Sequence, residues 1–305
     1  MIMEDVSLLV MSCDKYRSAW YPYFELIKKY WPKHPQKVFL STETRGYTTE
    51  GIDIITINSG KVEPWSQRLI TVLSKIETEY VIFSLEDFFL LGPVKQERIE
   101  ECLQWMRNDS TIAECRLTTY DTIRGQNYNN SDFALCPATH PFRIDAQIAI
   151  WRKKYLISVL NPLETPWQFE PNSSKRSSLL PDKLLWYSPA QGHDIESMIV
   201  PYYNNPNDGY AIAWGKWLPN NKTWFKKNCI RGVKYYQLGT LSWKDIVRRK
   251  KYLYNTPNNI VERIIQKIFK SFVYIDRVSR EFFLTGLMGI KNTLCILKSR
   301  RLLKK

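Results

Sequence analysis

Apolar runs of strand length alternate with stretches of helical period through the first third of the chain. Val6–Met11 is almost wholly apolar over six residues, the pattern of a strand covered on both faces. Arg17–Tyr30 then sets Trp20, Phe24 and Ile27 at helical spacing; Trp31 extends the stripe and Pro32 ends it. Residues 37–41 and 53–57 read as further strands, and 65–76 as a helix that turns Leu69, Val72, Leu73 and Ile76 inward. Tyr80–Leu85, β-branched and aromatic, predicts another strand, followed by a helix near 96–106 and a strand at 112–117. Such alternation predicts an α/β fold: a mostly parallel, doubly wound sheet flanked by helices.

Farther along, the pattern weakens. From 121 to 142 the composition shifts to Asn, Ser, Gly and Pro with little periodicity, which predicts a long surface excursion of the kind that forms lids or binding loops. Residues 147–151 read as a strand and 154–160 as a short helix, whereas 172–182 and 204–208 read as polar loops. After Pro257 helical periodicity returns. Residues 260–275 place Val261, Ile264, Ile265, Ile268 and Phe272 on one face, and 279–303 do the same with Phe283, Leu287, Ile290, Leu294 and Leu297.

Charge sharpens the division. The chain carries a formal +14, and residues 243–305, with sixteen Lys or Arg against four Asp or Glu, hold +12 of it. The nearly neutral remainder argues against a basic nucleic-acid cleft, so no nucleic-acid partner is expected. Two units follow: an α/β domain over 1–242 and a basic amphipathic helical tail over 243–305. Such helices suit an anionic membrane surface; the plain alternative is a helical hairpin packed on the domain. No run approaches the roughly 20 apolar residues that span a bilayer, and the start, with Glu4 and Asp5 ahead of a short apolar run, lacks the order of a signal peptide. Six dispersed cysteines without a CxxC pair offer neither a zinc ribbon nor a redox motif. The expected location is cytoplasmic, peripheral on the inner face of the membrane.

The strongest chemical signal is the strand at 80–85 running into Glu86-Asp87 and then Phe88-Phe89-Leu90-Leu91. Ligands of open α/β sheets gather beyond the carboxyl ends of strands. Two carboxylates at that point suit a hard divalent cation, Mg²⁺ or Mn²⁺, carrying phosphate oxygens. With His34, His140 and His193 the only histidines, a His-rich metal site is not expected. The plain alternative, two solvated acids at a turn, sits badly in so apolar a setting.

Taken with Ser12-Cys13-Asp14-Lys15-Tyr16, Trp65-Ser66-Gln67-Arg68, Gln147-Ile-Ala-Ile-Trp151 and Pro166-Trp167-Gln-Phe-Glu170, this stretch resembles GT-A-type glycosyltransferases, in particular those of bacterial capsule and O-antigen gene clusters. The resemblance covers roughly residues 6–240. It implies a GT-A-like, Rossmann-like sheet and a nucleotide-sugar donor, UDP-linked by family habit. Cys13, Asp14 and Tyr16 with Trp65 and Arg68 would line the nucleotide, and Asp87 with Glu86 would meet the metal and diphosphate. An acceptor glycan linked to a lipid carrier is implied as partner. Two departures stand out: Glu86 occupies a position where aspartate is usual, and Phe88 follows Asp87 where a third acid is common. Arg68 or Lys15 could then neutralise the diphosphate instead.

A hexosyltransferase-like reaction is expected, with inversion the first reading and retention left open by the sequence; inversion needs a base for the acceptor hydroxyl. Glu170 is the first candidate, by its resemblance to the aromatic-plus-acid element of inverting enzymes; Asp145 and Asp194 are the rivals. Trp65, Trp151, Trp167, Trp214 and Trp217 are either ring-stacking platforms or core residues, and core packing is the commoner use. Lys216, after Gly215, is a weak phosphate candidate. Two other classes stay open: a nucleotidyltransferase acting on a sugar phosphate, although 12–17 lacks the glycines of such a phosphate loop, and a non-catalytic membrane-associated glycan-binding scaffold.

Overall fold

The computed structural model describes residues 3–61, 64–118, 123, 127–189, 197–202, 212–213, 215–219 and 221–242. The chain divides into two units, Met1–Ser242 and Trp243–Lys305. The expected basic tail, together with Asp194, Trp214 and 204–208, lies outside the described residues.

The elements in chain order are β1 (Val6–Met11), α1 (Arg17–Tyr30), β2 (Lys37–Thr42), β3 (Ile54–Asn58), α2 (Trp65–Lys75), β4 (Tyr80–Leu85), α3 (Gln96–Asn108), β5 (Ile112–Arg116), β6 (Phe133–Leu135), β7 (Ala149–Arg152), α4 (Lys153–Val159), α5 (Pro166–Ser177), β8 (Lys183–Tyr187), β9 (Ile212–Ala213), β10 (Lys216–Trp217) and α6 (Asn221–Lys227). Eight strands form one sheet in the order β3-β2-β1-β4-β7-β5-β8-β6. β3, β2, β1 and β4 pair in parallel, and so do β5 and β8; β7 and β6 run against their neighbours. The sheet is therefore mixed, and the reversal of β7 at its centre was not part of the expected parallel winding.

Period-2 side-chain alternation explains why the central strands read as continuous apolar runs. Leu8, Val10, Ile82, Cys115 and Ile150 face one side, where they meet Trp20, Phe24 and Ile27 of α1 and Ile99, Leu103 and Met106 of α3. Leu9, Val81, Phe83, Ala149, Trp151 and Trp186 face the other, against Leu69, Val72 and Leu73 of α2, Leu156 and Val159 of α4, and Phe169 of α5. Each fully buried side chain of this kind contributes about 1.5–3 kcal/mol.

Two expectations need correction. The stretch 172–182, read as a loop, is largely the second half of α5. This helix buries serines where an apolar stripe would be sought: Ser173 donates to the Val159 carbonyl (2.7 Å), Ser174 accepts from the Ile144 N–H (2.9 Å), and Ser177 accepts from Arg143 (2.8 Å). Its start is signalled chemically by Pro166 at the first position and by Gln168, which accepts from the Thr165 N–H (3.0 Å). The excursion at 121–142 is likewise not wholly irregular, since β6 returns from it to form the sheet edge against β8.

Arg143 locks this region. Only 3% exposed, it donates to Ser177, to the Cys136 carbonyl and to the Asp182 carbonyl, joining the approach to β7 with α5 and the start of β8. Arg143→Met should leave those buried acceptors unpaired and cost about 3 kcal/mol. Urea unfolding is the check: the midpoint should fall while the m-value stays unchanged.

Candidate functional site

β1 and β4 pair in parallel from Val6↔Tyr80 to Met11↔Leu85, so the segments that follow them leave the sheet side by side. After β1 come Ser12, Cys13 and a 3₁₀ turn, Asp14–Tyr16; after β4 come Glu86 and Asp87. Glu86 is buried at 7% exposure and Asp87 is half-buried. Among the described residues neither carboxylate makes an ion pair. Burial holds Glu86 well above the ordinary carboxylate range, and the neighbouring Asp87 charge adds to the effect; the Ser12 hydroxyl and Arg68 offset only part of it. Burial raises Asp87 as well.

Adjacent acids raised in this way are short of positive charge, and that deficit fits a divalent cation. Mg²⁺ or Mn²⁺ needs only one or two protein carboxylates when phosphate oxygens and water complete its shell. Among the described residues no group of three or more His, Cys, Asp or Glu side chains could hold a metal alone. Glu86 and Asp87 would therefore hold the ion jointly with a phosphate-bearing ligand.

The structure gathers most of the expected nucleotide residues around this pair. Burial and then the Glu86 charge raise the Cys13 thiol, and burial followed by Glu86 and Asp87 pushes the Tyr16 hydroxyl up to about 12, which places both beside the acids. Arg68, on the first turns of α2, is 6% exposed; it donates to the Ser12 carbonyl and, at 2.9 Å, to Ser59 Oγ. Gly215 approaches the same loop at φ +73°, where a Cβ would lie 2.8 Å from Lys15 Nζ, so a larger residue would be strained and would displace the lysine. Lys216 beside it is exposed.

Asp14 has a different task. Its carboxylate accepts the backbone N–H groups of Glu43 (3.1 Å), Thr44 (3.2 Å) and Arg45 (3.3 Å) and the Thr44 hydroxyl, while the Asp14 N–H donates back to Glu43 (3.1 Å). Burial works to raise its pKa, but these donors prevail and hold it below the ordinary value. Asp14 thus fastens the loop after β2 to the loop after β1. Trp65 packs against Phe83 and Phe169 under the opposite sheet face.

The candidate bases gather at the start of β7, which the antiparallel pairing Phe83↔Ala149 brings to the same sheet edge as Glu86-Asp87. Glu170 accepts the Ala146 N–H at 3.1 Å. Burial raises its pKa and the nearby Asp145 charge adds to this. Asp145 accepts from the Gln147 N–H (3.0 Å) and lies 3.1 Å from the Arg116 guanidinium. Tyr202 ties this segment to the acid pair, stacking on Phe88 at 4.2 Å between ring centroids and donating to Gln147. Of the tryptophans, Trp151 and Trp217 are core residues, whereas Trp167 is 82% exposed.

Sequence reasoning overlooked Glu43, Tyr202 and the β5 residues Glu114 and Arg116. The last two are fully buried on one face of a strand that reads Ile-Ala-Glu-Cys-Arg, and this alternation of charge with small or apolar residues was the available signal. Arg116 lies flat on Trp186, 3.2 Å from the ring centroid, and reaches between Glu114 (3.6 Å) and Asp145. Burial pushes the Glu114 carboxyl up to about 8 against the attraction of Arg116. Because the folded state keeps a proton that the unfolded chain releases near 4.5, Glu114 should lower stability as pH rises from about 4.5 to about 8, with a slope of up to about 1.4 kcal/mol per pH unit. Glu114→Gln should remove that component, as chemical denaturation at pH 5 and pH 8 would show; equal slopes in both proteins would contradict the assignment.

No family model and no curated protein sequence matches this chain. Among solved structures, it aligns with S. aureus TarS 1–349 at 13% identity and TM-score 0.41, over 60% of this chain and 58% of that one. A mannosyltransferase from Pyrobaculum calidifontis, in complex with GDP-Man and Mn²⁺, aligns at 10% identity and TM-score 0.44, over 94% and 80%. A cytidylyltransferase from Leptospira borgpetersenii aligns at 12% identity and TM-score 0.39, over 74% and 95%. The chain thus spans little more than half of the TarS segment, and likeness of this size assigns neither substrate nor reaction.

Proposed function

We propose that this chain is a glycosyltransferase that moves a sugar from a nucleotide-sugar donor to a glycan acceptor. The observation that carries the reading is Glu86-Asp87: two adjacent acids raised by burial, without an ion-pair partner among the described residues, at the carboxyl edge of a central parallel strand. A solvated surface pair would need no such setting; a site for a cation-bound diphosphate does.

In this reading Asp87 and Glu86 would hold a Mg²⁺ or Mn²⁺ ion, and the charge such an ion would supply is that needed by a departing diphosphate. Arg68 is a fixed charge beside it, its guanidinium oriented by Ser12 and Ser59 so that little reorganisation is needed as charge develops. Cys13 and Tyr16 line the nucleotide side. At the start of β7, Glu170 takes the proton of the acceptor hydroxyl. The hydroxyl oxygen forms its bond to the sugar's anomeric carbon as the bond from that carbon to the diphosphate breaks, and the electron pair leaves with the nucleoside diphosphate. Burial and Asp145 raise Glu170, which makes it a stronger base than an exposed carboxylate, while the Ala146 N–H fixes one of its oxygens. Attack from the face opposite the leaving group inverts the anomeric centre.

The acceptor is proposed to be a carrier-linked glycan of bacterial surface polysaccharide synthesis. The reason is the +12 charge of residues 243–305, suited to an anionic membrane surface where such acceptors reside. No helix among the described residues is long and apolar enough to cross a membrane.

Calorimetric titration with UDP, GDP, CDP and CMP, each with and without Mn²⁺, tests the donor site. One nucleotide should bind in a metal-dependent way, and Asp87→Ala should abolish that binding without lowering the melting temperature. Absence of binding to all four would sink the proposal, and pyrophosphate release from a nucleoside triphosphate and a sugar phosphate would replace it with nucleotidyl transfer. Glu170→Gln should retain nucleotide affinity and lose about 10²–10⁴-fold in turnover. Full turnover in that variant would transfer the base role to another acid.

A further inference from the structure

A second concavity lies on the α1 side of the sheet, built from the first turns of α1, the loop after β2 and the segment that follows α6. Its volume is about 900 Å³, and it shares no residue with the acid-pair site. Among the described residues that line it are the cations Arg17, Arg45, Arg231 and Lys234 and no carboxylate. All four are exposed, and among the described residues none has an ion-pair partner. In a unit whose overall charge is only +2, such a grouping is a local concentration of positive potential and not the general character of the surface.

The rest of the wall limits what fits. Trp20, Tyr21 and Tyr47 line it; Trp20 is 3% exposed and Tyr47 stacks on Phe24 at 5.6 Å, so Tyr21, 36% exposed, is the ring most open to a ligand. Aromatic faces suit the apolar C–H patches of sugar rings. Ser18, also in the wall, is 4% exposed, and among the described residues its hydroxyl has no hydrogen-bond partner. α1 begins at Arg17 with no side-chain cap, so the positive end of its dipole adds to the attraction for an anion. The volume lies in the range of small-molecule sites.

We propose that this basin binds an anionic saccharide, a sugar carrying a phosphate or a carboxylate, with the cations taking the charged group and the aromatic residues the ring. Its wall is joined to the acid-pair site through one side chain, since Trp20 Nε1 donates to Ser12 Oγ at 2.7 Å and Ser12 in turn acts on Glu86. As a holding place for an anionic acceptor the basin rests on the transferase reading; as a binding site it does not.

The test is calorimetric titration of the full chain with glucose 1-phosphate, digalacturonate, maltose, inorganic phosphate and a short oligothymidylate. Either or both anionic sugars should bind at least about tenfold more tightly than maltose and than inorganic phosphate, and which one does so identifies the charged group. Arg45→Ala combined with Arg231→Ala, both exposed positions, should weaken that binding by about tenfold or more while leaving nucleotide titration unchanged. Equal affinity for maltose, equal affinity for inorganic phosphate, tighter binding of the oligonucleotide, or indifference to the paired substitution would each overturn the proposal. Sugar binding without nucleotide binding would remove the transferase reading alone, and nucleotide binding without sugar binding would remove this one alone.

Discussion

The parallel pairing of β1 with β4 in the middle of the sheet is the constraint on which the candidate site depends. Parallel neighbours end at the same edge, so the loop carrying Ser12, Cys13 and Tyr16 and the acids Glu86 and Asp87 emerge together although more than seventy residues separate them. The third contributor, the loop after β2, is fixed to the first by the reciprocal bonds of Asp14 and Glu43. Arg68 then closes the arrangement from α2 by donating to the Ser12 carbonyl. A one-residue slip of β1 against β4 would turn the apolar side chains of the slipped strand to the wrong faces and shift the loop after β1 away from the acid pair.

β7 reverses direction and thereby brings a different kind of residue to the same edge. A strand running the other way delivers the chain that precedes it, and here that chain is Asp145-Ala146-Gln147. The acids on the two sides of the site are handled differently. Glu86 and Asp87 have no ion-pair partner among the described residues, and Arg68 offsets only part of the effect of burial on Glu86, a poise that suits a ligand bringing positive charge with it. Asp145 is compensated by Arg116, whose guanidinium lies on Trp186 and is sealed from water. Burying so much charge is costly unless it is paired, and Glu114 reduces that cost by holding its proton to about pH 8.

The hydrophobic pattern made the framework legible. β1, α1 and β4 emerge with the bounds their apolar runs predict, because strands covered on both faces have no polar side to interrupt the signal. The acid pair was legible for the same reason: two carboxylates interrupting an apolar run are conspicuous. α5 was not, since it fills its buried face with Ser173, Ser174 and Ser177 and replaces apolar contact by hydrogen bonds. β6, at three residues, is too short to show any period.

The sequence by itself determined which segments are buried, where strand and helix alternate and that acids stand at the end of one strand, because these depend on local patterning and on the cost of exposing apolar surface. The tertiary structure decided what those residues do for one another. It fastened two loops through Asp14, set Glu170 beside Asp145, and enclosed Glu114 and Arg116 together. It also gathered Arg17, Arg45, Arg231 and Lys234 around one basin. The strand order and the direction of β7 set these meetings, and neither is written in local periodicity, since an apolar strand reads alike in both directions.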